Sequence, residues 1–93
     1  MNKPIATMAR TNEILAKYDL YAKKNYGQNF IIEPGIVEKI ARLSHADEHS
    51  AVIEIGPGIG ALTEQLARVA GQVLAFEIDD RLIEVLADTL SDY

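Results

Sequence analysis

A chain of 93 residues, 48% hydrophobic and 25% charged, has room for about one small globular domain and is neither disordered nor low-complexity. It has no cysteine, which removes disulfides, thiolate metal sites and cysteine nucleophiles and fits a reducing, cytoplasmic setting. No apolar run approaches the roughly 20 residues of a membrane span, and Met1-Asn2-Lys3-Pro4 opens no apolar signal segment. The net charge of −5 is unevenly spread. Residues 1–30 carry Lys3, Arg10, Lys17, Lys23 and Lys24 against Glu13 and Asp19, a balance of +3, whereas residues 31–93 stand at −8. A basic N-terminal arm is therefore available to phosphates, although charge alone favours a solvated arm.

In chain order, Thr7 is placed to cap a helix over residues 8–18, with Ile14, Leu15 and Tyr18 on one side. From Asp19 to Asn29 the helical pattern fades into a loop. Pro34 suits the first turn of a second helix, where Ile36, Val37, Ile40 and Leu43 follow at helical spacing. Residues 44–50 form a polar connection. Ala51-Val52-Ile53-Glu54-Ile55 is short, β-branched and mostly apolar, like a buried parallel strand. Gly56-Pro57-Gly58-Ile59-Gly60 breaks it. Leu62, Leu66 and Val69 mark a helix ending near Gly71. Residues 73–77 read as a second strand. Leu82, Ile83, Leu86 and Leu90 mark a last helix, with Asp79 or Asp80 at its start. Glu64, Arg68, Glu84 and Asp88 read as solvent-facing helix charges.

Strand–helix–strand–helix predicts an α/β fold, a βαβ unit of a doubly wound parallel sheet. Such sheets are covered on both faces and continue beyond two strands. The expectation is the first part of a longer protein, able to self-associate through its open sheet edge.

Gly56, Gly58 and Gly60 lie between a strand and a helix, where glycine permits a tight turn and close approach to a ligand. The helix N-terminus beyond offers N–H groups to a carboxylate or phosphate. Glu77, at the end of the second strand, can accept hydrogen bonds from both ribose hydroxyls of a nucleoside. The loop also fits the G-x-G-x-x-A dinucleotide pattern. Glu54 separates the two readings, because a carboxylate in an apolar strand needs a partner. The cationic amino group of S-adenosylmethionine supplies one, whereas the pyrophosphate of a dinucleotide would be repelled. Capping of neighbouring backbone amides is the structural alternative.

Lys23-Lys24-Asn25-Tyr26-Gly27-Gln28-Asn29-Phe30-Ile31 resembles the K-K-x-x-G-Q-N-F-L segment of the rRNA adenine dimethyltransferases. Val52–Thr63, V-I-E-I-G-P-G-I-G-A-L-T, resembles their first nucleotide motif, and Val73–Asp79 with Arg81-Leu82 resembles their second. Gly27-Gln28-Asn29-Phe30 with Glu54-Ile55-Gly56-Pro57-Gly58 resembles the KsgA type, which dimethylates two adjacent adenosines near the 3′ end of small-subunit rRNA. The large-subunit resistance methylases are the runner-up, and residues 4–18 resemble the N-terminal extension of bacterial members. The resemblance implies a partial Rossmann-like methyltransferase fold that binds S-adenosylmethionine. Gln28, Asn29 and the backbone around Ile31 would close over its methionine end, Gly56 and Gly58 would let the loop approach, Glu77 would hold the ribose, and Ile78 would pack on the adenine. Ile78 is expected in the core in any case, and for Phe30 core packing stands at least level with a substrate role. Lys23 and Lys24 are the RNA candidates. Ile31 and Glu33 depart from the usual leucine and aspartate. The implied partners are small-subunit rRNA and the pre-30S particle, with no membrane.

The family's Asn-Leu-Pro-Tyr motif, which orients the target amine and stacks on a flipped base, does not occur in these 93 residues. No catalytic residue is assigned, and the chain alone is expected to be inactive. His45-Ala46-Asp47-Glu48-His49 matches an inverted zinc-peptidase string, but it lies in a polar connector, and no metal site is assigned. Tyr18, Tyr21 and Tyr26 could stack on RNA bases, with Tyr18 better explained by packing. The division read here is residues 1–33 as N-terminal helix and cofactor-closing segment, and 34–93 as the first part of the methyltransferase domain. A nicotinamide-dependent oxidoreductase and a non-catalytic RNA-binding module are the readings from other classes.

Overall fold

The computed structural model describes residues 3–20 and 33–93. The first helix, α1, spans Met8–Lys17, and the Thr7 hydroxyl accepts from the Arg10 N–H at 3.2 Å, closing the cap that the sequence predicts. Ile14 is buried, and Leu15 and Tyr18 pack against the same core. The chain then turns at Asp19, whose φ of 53° is one that aspartate tolerates, and drops Leu20 into the core.

Helix α2, Pro34–Leu43, begins on its proline. Of its four expected core positions only Val37 is buried. Val37 and Ala41, one turn apart, make the buried stripe, and α2 lies along the helix that follows the glycine loop. Ile36, Ile40 and Leu43 fall beside that stripe and are exposed. After α2 the polar connection turns through His45, with φ 59°.

Strand β1 (Ala51–Ile55), helix α3 (Ala61–Val69), strand β2 (Gln72–Phe76) and helix α4 (Asp80–Thr89) follow in the predicted order. The strands pair in parallel, with Val52 opposite Val73, Glu54 opposite Ala75 and Ile55 opposite Phe76. Strand side chains alternate between faces. Val52, Glu54 and Val73 stand on the half-buried face towards α3, and Ile53, Ile55, Leu74 and Phe76 line an exposed apolar face. Gly71 ends α3 for a reason the sequence reading did not give. It is not a left-handed cap; a Cβ there would stand 2.3 Å from the Glu48 carbonyl oxygen, so the connection before β1 requires a residue without a side chain. Its N–H donates to the carbonyls of Asp47 and Ser50.

The core joins Ile5, Ala6, Ile14 and Leu20 with Val37, Ile59, Leu82 and Val85. The N-terminal segment is thus built into the same core as the βαβ unit. Two expectations about side chains are corrected. Ile78 is 76% exposed, because it continues the open face of Leu74 and Phe76 on the outside of the β2–α4 crossing. Glu64 is 3% exposed and does not face solvent; its Oε1 accepts from the Ile5 N–H at 2.8 Å and its Oε2 from the Tyr93 hydroxyl at 3.3 Å. Helical periodicity placed it outside because the strap that covers it comes from 59 residues away. Asp88, by contrast, is a surface group that bonds Lys17 at 2.7 Å and the Tyr18 hydroxyl at 2.5 Å, and these partners hold its carboxyl below the ordinary range.

Candidate functional site: the glycine loop and its two carboxylates

The loop between β1 and α3 needs positive φ at three places, and glycine occupies all three: Gly56 at 70°, Gly58 at 62° and Gly60 at 96°. The positions differ in their surroundings. A Cβ on Gly60 would meet Leu86, Thr89 and Leu90 of the α4 end at 3.2–3.3 Å, so Gly60 seats the loop on the protein. A Cβ on Gly56 would meet nothing within 4 Å among the described residues, so Gly56 borders space where a ligand can approach. Ile59 points the other way, fully buried, and its carbonyl accepts from the Thr89 hydroxyl at 2.9 Å. Gly56 N–H donates to the Phe76 carbonyl at 2.8 Å, which brings the ends of β1 and β2 together. Gly60 caps α3 without a side chain, and the first-turn N–H groups there form the positive end of the helix.

Glu77 is the first residue beyond β2. Its Oε1 accepts from the Gly58 N–H at 3.2 Å and its Oε2 from the Asp79 N–H at 3.1 Å. One carboxylate therefore ties the glycine loop to the β2–α4 crossing. Each oxygen has a further lone pair for a ligand hydroxyl. Asp79 extends the framework. It caps α4 by accepting from the Arg81 N–H at 3.0 Å, and it is gripped by the Arg81 guanidinium at 3.1 and 2.7 Å.

Glu54 was expected to need a partner. The structure gives it the Thr63 hydroxyl at 2.5 Å, from the first turn of α3, and not the backbone amides. Burial pushes its carboxyl above the ordinary range, and the Thr63 bond offsets only part of that. Among the described residues no positively charged neighbour enters the balance. A half-buried carboxylate with a hydroxyl partner, and no cation beside it among the described residues, fits a site built to receive a positive charge.

Glu54, Gly56, Gly58 and Glu77 thus surround the carboxyl ends of two adjacent parallel strands, where ligands bind in open α/β sheets. Ile78 stands exposed beside them. Lys23, Lys24, Gln28, Asn29 and Ile31 lie outside the described residues. Sequence reasoning missed Thr63, Asp79 and Thr89 as supports. The signal for Thr63 was present, a hydroxyl in the first turn after a loop that follows an unpaired acid. The other basic residues are used differently. Lys3, Arg10 and Lys17 line a cleft of about 460 Å³ between α1 and the end of α4, but Glu13 and Asp88 line it too. His49 and Glu48 sit exposed in a turn, and among the described residues no group of three metal-ligating side chains gathers. Among them, too, no helix is long and apolar enough to cross a membrane.

A sequence profile described as ribosomal RNA adenine dimethylase matches residues 20–93. The chain belongs to the ribosomal RNA adenine dimethylase family. The dimethylase resemblance read from the three motifs is therefore confirmed, and the matched span contains all of them, residues 23–31, Val52–Thr63 and Val73–Asp79. Relatives carry the match through the N-terminal segment as well. The chain is 61% identical over all 93 residues to the ribosomal RNA small subunit methyltransferase A of Anoxybacillus flavithermus, and 60% identical to that of Shouchella clausii. It is 60% identical over 91 residues to that of Enterococcus faecalis. The chain spans 32%, 31% and 31% of these relatives, about a third of each methyltransferase.

Proposed function

We propose that this chain supplies the S-adenosylmethionine half-site of an enzyme that dimethylates the exocyclic amines of two adjacent adenosines near the 3′ end of small-subunit rRNA, a step of ribosome biogenesis. The observation that carries the reading is the pairing of Glu54, a half-buried carboxylate held by the Thr63 hydroxyl with no cation beside it among the described residues, with the three-glycine loop fastened by Glu77. When bound, the cofactor supplies a methyl group on a sulfonium. Glu54 faces the amino group and relieves its own burial by doing so. Gly56 and Gly58 bring backbone close to the ligand, and Glu77 accepts from the ribose while keeping the loop in place. Gln28, Asn29 and the backbone at Ile31 close over the methionine end, Ile78 covers one side of the adenine, and Lys23 and Lys24 take RNA phosphates. Methyl transfer of this kind relies on alignment and not on a protein nucleophile.

The exposed Ile53, Ile55, Leu74 and Phe76 add a second property to the chain in isolation, association of copies through the open sheet. Calorimetric titration with S-adenosylmethionine and with NAD tests the cofactor reading. Saturable binding of the first and none of the second is expected. Binding of NAD alone would reverse the assignment.

A further inference from the structure

The N-terminal strap ahead of α1 lies outside the span of the family profile, which begins at residue 20, yet the 61% identical relative aligns through it. It is not a loose extension. Ile5 and Ala6 are fully buried and share one cluster with Ile59, the residue between Gly58 and Gly60 of the glycine loop. The Ile5 carbonyl accepts from the Thr11 hydroxyl at 2.7 Å, and the Ile5 N–H is taken by Glu64 Oε1 at 2.8 Å. Glu64 faces both ways. Its backbone N–H holds the Gly60 carbonyl at 2.8 Å in the first turn of α3, while its side chain holds the strap. A buried carboxylate is costly unless it is fully bonded. Here two donors and the positive end of α3 retain it. The burial needs an explanation that helix formation does not supply, since the solvent-facing charges of the other helices do without it.

We infer that Glu64 is a positioning residue for the glycine loop: by pinning the N-terminal strap in the core cluster that contains Ile59 it holds Gly58 and Gly60 in the shape that receives the cofactor. The inference rests on the S-adenosylmethionine reading for its ligand, but its mechanical part does not. Glu64→Ala leaves the buried Ile5 N–H without an acceptor and frees the strap. Glu64→Gln keeps an amide oxygen for the same N–H.

The test is amide hydrogen exchange on the chain without ligand, followed by S-adenosylmethionine calorimetry. Glu64→Ala is expected to lower protection of the Gly58 and Gly60 amides about tenfold more than that of the β1 and β2 amides, and to weaken cofactor binding by about tenfold. Glu64→Gln is expected to stay within about threefold of the parent chain on both readouts. Thr11→Val, which releases the Ile5 carbonyl from the other side, is expected to move the same amides in the same direction and supplies the comparison if Glu64→Ala does not fold. Equal loss of protection throughout the chain, or loss confined to Ile5 and Ala6, overturns the inference. If the parent chain binds no S-adenosylmethionine, the cofactor reading fails, and the exchange pattern still decides the role of Glu64.

Discussion

Replacing Glu77 by alanine removes one carboxylate and both of the bonds it accepts, from Gly58 at 3.2 Å and from Asp79 at 3.1 Å. A hydrogen bond to a charged group contributes about 1.5–3 kcal/mol net. These two are longer than the 2.7–2.9 Å of strong charge-assisted bonds, and the side chain is only half-buried, so water replaces part of each. About 1 kcal/mol apiece, or about 2 kcal/mol together, is a reasonable magnitude, equivalent to an increase of about 30-fold in opening of the loop. Hydrogen exchange at Gly58 reads that opening without any ligand. Glu77→Gln sharpens the test. Its single oxygen serves one amide while its NH2 group faces the other donor, so it restores at most part of the protection. S-adenosylmethionine affinity falls in both variants, further than loop opening alone requires, because the ribose acceptor is lost as well. Gly58 exchange within threefold of the parent chain in Glu77→Ala would refute the claim that this carboxylate fastens the loop.

Gly56→Ala and Gly60→Ala separate ligand approach from loop seating. Both accept the left-handed penalty of about 1–2 kcal/mol, but only Gly60→Ala adds contacts at 3.2 Å, so urea unfolding places Gly60→Ala well below Gly56→Ala in stability, while calorimetry shows S-adenosylmethionine binding lost in Gly56→Ala although it folds. Glu54 has a carboxyl raised by burial, so the folded chain binds its proton more readily than the unfolded one. Its contribution to stability is greatest in acid and declines as pH rises through the raised folded value. Glu54→Gln is therefore expected to equal or exceed the parent in urea unfolding at neutral pH, with the advantage shrinking as pH falls into the carboxylate range, and to bind S-adenosylmethionine more weakly. Gly71→Ala forces a Cβ to within 2.3 Å of the Glu48 carbonyl and is expected to cost several kcal/mol, about the range of severe core substitutions, in the same unfolding assay.

Local rules made most of the fold legible. Thr7, Pro34 and the Asp79-Asp80 pair announced helix starts, the apolar run 51–55 announced a parallel strand, and all six elements stand within a residue or two of their expected bounds. The glycine loop and Glu77 were legible for the same reason, since a strand–turn–helix junction restricts which residues it accepts. What escaped was set by distant chain segments. Periodicity assigns a helix position to a face, but it cannot foresee that Ile5 comes to lie on Glu64 or that α2 buries Val37 and Ala41 while Ile36 and Ile40 remain exposed. Ile78 failed for a related reason: apolar character implied burial, yet the residue sits on the open face at the edge of the site. Glu54 was correctly read as needing a partner, but that its first partner is the Thr63 hydroxyl depends on how α3 lies across β1.

Whether the glycine loop and Glu77 hold the cofactor is read by a backbone amide NMR titration of the chain with S-adenosylmethionine, alongside one with NAD. Shifts concentrated at the amides of Gly56, Gly58, Ile59, Gly60 and residues 77–79 are expected with the first ligand, and none that saturate with the second. Saturating shifts elsewhere in the molecule, with the glycine loop unmoved, would contradict that placement of the cofactor.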